Sequence, residues 1–198
     1  MILSPGCLKN FNGALDISTN ILENALAGAD ALMTVGCLRS GECLAKSGYD
    51  RGRAEAQYLC LKKLSDPNRR TLWLPTHELI LDRIRLWYEC NPKFIRIRLT
   101  THKTDFFHEC CTVPIFWANE WFLVWKVILW GLLLRAEKWE IFTKKSFLFG
   151  WHGKNSRNIR TLSYHMVLAF DKVRFERLGM DYSLIKTHSR QRALSTIS

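Results

Sequence analysis

The chain has little with which to do catalysis or to hold a metal. Its 198 residues contain no Gly-x-Ser-x-Gly elbow and no glycine-rich phosphate loop, so neither an activated serine nor a nucleotide cradle is expected. Ser163, His165 and Asp171 are near one another in sequence, but proximity along a chain does not assemble a triad. No catalytic residue is assigned, and a non-enzymatic protein is expected. The seven cysteines include no Cys-x-x-Cys pair. His102, His108, Cys110 and Cys111 crowd together, yet adjacent cysteines present two sulfurs poorly to a tetrahedral ion. No metal and no cofactor is expected. An odd number of cysteines behind an Ile2-Leu3 too short for a signal-peptide core fits a reducing compartment better than a disulfide framework.

Acidic residues are also in short supply. Eighteen Asp and Glu face 29 Lys and Arg, a net charge of +11. That balance fits nucleic acid, an anionic membrane surface or simple solubility, and the basic residues are spread along the chain with few dense runs. Apolar residues are plentiful, at 47% with 12% aromatic, enough for one core in a chain of this length. The expected organisation is a poorly patterned segment 1–13, one globular domain over 14–185 and a polar tail over 186–198. The fold expected for that domain is α+β, predominantly helical with few short strands.

The longest apolar run, Val113 to Leu134, is interrupted by Pro114, Asn119, Glu120 and Lys126. A charge at the centre of a membrane span costs about 2.5–3.5 kcal/mol, so a buried helix from Ala118 to Lys138 is expected. The tryptophans of this run leave peripheral contact with a membrane as an alternative. A helix is expected over Ala14 to Leu38, broken near Gly36, another over Ala54 to Leu64, and a third over Tyr164 to Leu178. Ser65-Asp66-Pro67-Asn68 reads as a turn. Phe94 to Leu99 alternates apolar and basic residues, the period of a half-buried strand with Arg96 and Arg98 outward.

One segment is more specific. In LPTHELILDRIRLWYECNP, Pro75 suits the first turn of a helix, and Thr76, Glu78 and Asp82 keep its early turns polar or acidic, as the macrodipole favours. Ile80, Leu81, Ile84, Trp87 and Tyr88 recur at helical spacing, with Leu79 and Leu86 widening the stripe. Asn91-Pro92 ends the helix. An amphipathic helix of this kind serves equally as part of a core. The Leu74-Pro75 start running into Glu78-Leu79-Ile80 resembles the first helix of F-box modules. More narrowly, Leu74, Pro75, Leu79 and Pro92, with the preceding Asn68 to Trp73, resemble the minimal F-box-like pattern of the silencing suppressors of poleroviruses, the P-zero family. The pattern's aliphatic position falls on Glu78 here, with Leu79 one place later. The resemblance covers residues 68–92 only. The family's Gly- and aromatic-rich C-terminal element has a loose echo in Phe147 to Gly153.

The resemblance implies a viral suppressor of host RNA silencing. Such a protein is an adaptor in the host cell cytoplasm that binds the Skp adaptor of a cullin ubiquitin ligase and delivers host Argonaute for degradation. Leu74 and Pro75 would set the angle of the helix, Leu79, Ile80 and Ile84 would anchor it, and Pro92 would turn the chain. A different class of function stays open beside it: an RNA binder that sequesters small RNA through a basic, aromatic-interleaved segment carrying Lys144, Lys145, Lys154 and Arg157.

Overall fold

Asn20 sets where the first helix starts. Its backbone is extended and its side-chain oxygen accepts the amide hydrogens of Leu22 at 3.0 Å and Glu23 at 3.4 Å, the geometry of an N-cap. Of the helix expected over Ala14 to Leu38, the described part is Ile21–Val35. In the computed structural model the residues described are 19–36, 38, 40–44, 59–70, 75–90, 92–99, 111–116, 124–138, 140–152, 159–177 and 179. Segments 1–13 and 186–198, together with Leu74, His102, His108, Cys110, Lys154 and Arg157, lie outside them.

The elements are α1 (Ile21–Val35), α2 (Ser40–Cys43), a 3-10 turn (Leu61–Lys63), β1 (Leu64–Ser65), α3 (His77–Cys90), β2 (Phe94–Leu99), β3 (Cys111–Phe116), α4 (Val124–Glu137), β4 (Gly150–His152), β5 (Ile159–Thr161) and α5 (Tyr164–Arg177). Among the described residues, five helices with two small antiparallel sheets make an α+β fold. The helix expected to end at Leu178 and the strand expected over Phe94 to Leu99 both form.

One expectation gives way to non-local pairing. Residues 59–64, read as the end of a helix, instead lie against the chain that follows α4. Leu61 N–H donates to Ser146 O at 3.0 Å, Lys62 N–H to Lys144 O at 2.9 Å, and Leu148 N–H to Leu59 O at 2.8 Å. Those bonds use backbone groups that a local helix would have satisfied, so helix propensity is overridden. The buried helix expected over Ala118 to Lys138 is present as α4, and the start of the same apolar run lies in β3. Pro114, which has no amide hydrogen, is accommodated because β3 is at the edge of its sheet. No helix among the described residues is long and apolar enough to cross a membrane.

Helix α4 is the centre of the molecule, with Val124, Trp125, Ile128, Leu129 and Leu132 all in the core. On one side it meets α1 at Gly28, where a Cβ would stand 3.1 Å from Ile128, so the two backbones approach closely. On the other side it meets α3. Its first turn is tied to the sheet by Trp125 Nε1–H, which donates to Ile115 O at 3.1 Å. The three-stranded sheet has the order β1-β2-β3 and turns Ile95, Ile97, Leu99 and Ile115 inward. Strands β4 and β5 form a separate hairpin-like pair. Helix α5 docks on α1 through a buried polar cluster of Asp30, Asp171 and Arg174, with Arg174 Nη1 3.9 Å from Asp30 Oδ2. Burial lowers the Arg174 pKa, and the two carboxylates oppose that shift.

Candidate docking face on the motif helix

Helix α3 starts two residues later than Pro75. Thr76 is its N-cap, with the hydroxyl accepting Leu79 N–H at 3.3 Å and the carbonyl accepting Ile80 N–H at 3.2 Å. Pro75 precedes the cap and is exposed. A threonine two residues ahead of an acidic and apolar run is a cap signal in the sequence, and it sits directly after the proline. The helix is further fixed at its first residue, His77, whose Nδ1 accepts Phe142 N–H at 2.9 Å while its ring packs on that of Phe142.

The helix is two-faced. Ile80, Ile84 and Trp87 point into the core at 1%, 0% and 3% exposure. Leu81 and Tyr88 flank them, and the Tyr88 ring lies 6.0 Å from Trp130 and beneath the ammonium of Lys126 at 5.8 Å. Leu79 and Leu86, expected to widen the same stripe, instead face outward at 44% and 43% exposure. The reason is angular: Leu79 precedes Ile80 by about 100° around the helix, and a residue seven further on returns to nearly the same line. Between the two leucines the outward surface carries Asp82 and Arg85, which pair at 3.4 Å, and it continues to Glu89 and Cys90. Arg83 turns back toward buried Asp66 at 3.9 Å.

The six residues expected at an adaptor site are therefore not on one surface. Pro75 and Leu79 are exposed, Ile80 and Ile84 are buried, Pro92 is half-buried beyond the end of the helix, and Leu74 lies outside the described residues. A partner approaching the folded chain meets Leu79 and Leu86, while Ile80 and Ile84 hold the helix in place. Leu86, expected only to widen the buried stripe, lies on the same outward line as Leu79.

The basic aromatic segment is arranged differently from its sequence pattern. Lys144 and Lys145 are exposed in a turn closed by Ser146 N–H to Thr143 O at 2.9 Å. Phe149 is 5% exposed and Phe147 half-buried, so these rings fill the interior rather than alternate with the lysines at the surface. Of the tryptophans offered to a membrane, Trp125 is 1% exposed, Trp130 is half-buried against Tyr88, and Trp121 lies outside the described residues.

Chemistry of other kinds finds little support in the geometry. His165 is exposed on α5 whereas Asp171 is fully buried, and the Ser163 hydroxyl caps α5 by accepting Met166 N–H at 3.4 Å. Among the described residues no three His, Cys, Asp or Glu side chains gather as a metal site. Two clefts, one beside Gly131 and one beside Phe147, each hold a cavity of only about 10 Å³. Pockets for small molecules typically enclose about 300–1,000 Å³. No protein-family model, no curated protein and no solved structure matches this chain.

Proposed function

We propose that the chain is an F-box-like adaptor that suppresses host RNA silencing. In this reading α3 presents its outward leucines to the Skp adaptor of a host cullin ubiquitin ligase in the cytoplasm, and host Argonaute is brought to the ligase for degradation. The observation that carries it is the pair Leu79 and Leu86, two large apolar side chains left outward on one line of a capped, anchored helix, in a sequence where the F-box-like Leu74-Pro75 precedes the Thr76 cap. Helix-in-groove recognition draws its affinity from a few such anchors spaced one or two turns apart. Relative to the sequence reading, Leu79 stays in the anchor, Ile80 and Ile84 leave it for the core, and Leu86 joins it.

The test is a paired assay in leaves. The wild-type chain and a Leu79→Ala/Leu86→Ala variant are each used to pull down a plant Skp adaptor and to suppress a silenced reporter. The proposal expects the variant to accumulate normally yet lose both activities. Suppression that persists without adaptor binding overturns it.

A further inference from the structure

The outer face of the three-stranded sheet brings aromatic rings and arginines together. The register sets Phe94 opposite Phe116, Arg96 opposite Pro114 and Arg98 opposite Thr112, and alternation turns all six away from Ile95, Ile97 and Ile115. Phe94 and Phe116 form an aromatic pair with ring centroids 5.3 Å apart, and Phe116 is 58% exposed. An exposed phenylalanine paired across strands presents a flat apolar face on which another ring can stack.

Charge defines what that something is. The Arg96 guanidinium is held over the Phe94 ring at 5.3 Å and anchored by Nη1–H to Pro67 O at 3.0 Å, so it is a positioned cation. Arg98 is exposed two residues further on, roughly 13 Å from Phe94 along a strand of this rise. The turn that anchors Arg96 adds exposed Arg69 and Arg70 at the β1 end. None of the three strands contains an acidic residue. Asp66, the nearest carboxylate in that turn, is buried, where it accepts Arg70 N–H at 2.8 Å and faces Arg83.

The geometry points to single-stranded nucleic acid as the ligand of this sheet face, with a base stacked on Phe116 and phosphates held by Arg96 and Arg98. An aromatic platform flanked by arginines suits unpaired bases, which offer a flat face and a phosphate on each nucleotide, whereas a duplex buries its base faces. The net charge of +11 favours the encounter. This inference does not rest on the adaptor reading, because it uses a different face of the molecule from α3.

The experiment is fluorescence anisotropy of the full chain with a short labelled oligouridylate, over a series of salt concentrations. Loss of the stack in Phe116→Ala is expected to weaken binding about 5- to 150-fold. Arg98→Ala is expected to reduce the slope of log affinity against log salt by about 0.7, the share of one phosphate on a single strand. Arg98→Ala carries the test should the phenylalanine variant fail to fold. Leu79→Ala/Leu86→Ala and Lys144→Ala/Lys145→Ala are expected to bind as wild type does, which separates this face from the other two. No binding to oligouridylate overturns the inference, as does equal binding by Phe116→Ala and Arg98→Ala. Equal affinity for duplex RNA also overturns it, by reducing the surface to phosphate contacts, and so does displacement by polyglutamate as readily as by the oligonucleotide, which would make it an acidic-peptide site.

Discussion

Phe142 N–H donates to Nδ1 of His77 at 2.9 Å, so the first residue of the motif helix is tied to the chain that leaves α4. The bond spans 65 positions in sequence and fixes α3 at the end where the Leu-Pro start lies. Phe142 is 2% exposed, and its amide has little access to water. His77→Ala is therefore expected to leave a buried donor unsatisfied and to cost about 1–3 kcal/mol. Urea unfolding checks this, with the midpoint falling and the slope unchanged.

A second anchor lies a few residues upstream of that bond. Arg135 Nη2–H donates to Glu140 Oε1 at 2.7 Å, and Nη1–H reaches Phe147 O at 2.8 Å and Leu148 O at 3.1 Å. Both side chains are almost wholly buried. Glu140→Ala would strand the guanidinium charge inside the protein and is expected to cost about 3–5 kcal/mol. Gly150 passes so close that a Cβ would stand 2.9 Å from Arg135 Nη2 and 2.8 Å from Ile159, so Gly150→Ala is expected to destabilise the same corner. Thermal unfolding of both variants against wild type is the measurement.

The thiols differ in environment. Cys90 is exposed and Cys60 is buried, and burial raises the Cys60 pKa despite the opposing pull of Lys63 and Lys62. Under a limiting amount of iodoacetamide, peptide mapping is expected to find Cys90 alkylated well before Cys60. The linkage has a definite sign. The folded state holds the Cys60 proton more tightly than the unfolded state, whose value is near 9.0, so the stability from this group is complete below that pH. It is lost as pH rises through the higher folded value, and Cys60→Ala is expected to reduce the alkaline loss of stability in a pH series of unfolding midpoints.

Arg69 is the one described non-glycine residue with positive φ, at 59°. It follows Pro67-Asn68 in a turn closed by Arg69 N–H to Asp66 O and Asp66 N–H to Arg70 O, both 2.9 Å. Glycine adopts that backbone without a Cβ penalty. Arg69→Gly is expected to leave stability unchanged or raise it by up to about 1 kcal/mol, whereas Arg69→Val is expected to lower it. The comparison is again of urea midpoints.

The local features of the sequence carried over well. The alternation of Phe94 to Leu99 produced β2, the turn at Asp66-Pro67 formed, and the periodicity from Ile80 to Trp87 named the buried face of α3. The Asn20 and Thr76 caps also have local sequence signals, with Glu23 three residues after Asn20 and an apolar stripe following Thr76. What was not legible depends on partners distant in sequence. The pairing of Leu59 and Leu61 with Ser146 and Leu148 cannot be read from either segment alone. The division between buried Ile80 and exposed Leu79 depends on where α4 sits, because the two residues have the same hydrophobic character and only their angle differs. The pairing of Phe94 with Phe116 required the β2–β3 register.

The account turns on which face of α3 meets a partner, and two substitutions on adjacent residues separate the possibilities. Purified Leu79→Ala and Ile80→Ala proteins would be compared with wild type for affinity to a purified plant Skp adaptor, with urea unfolding of each alongside. Leu79→Ala is expected to keep nearly wild-type stability and to lose about 1–3 kcal/mol of binding, roughly 5- to 150-fold in Kd. Ile80→Ala is expected to lose about 2–5 kcal/mol of stability as a core truncation. Undiminished adaptor affinity in Leu79→Ala, or no adaptor binding by the wild-type chain, would contradict the account and leave α3 as a structural helix.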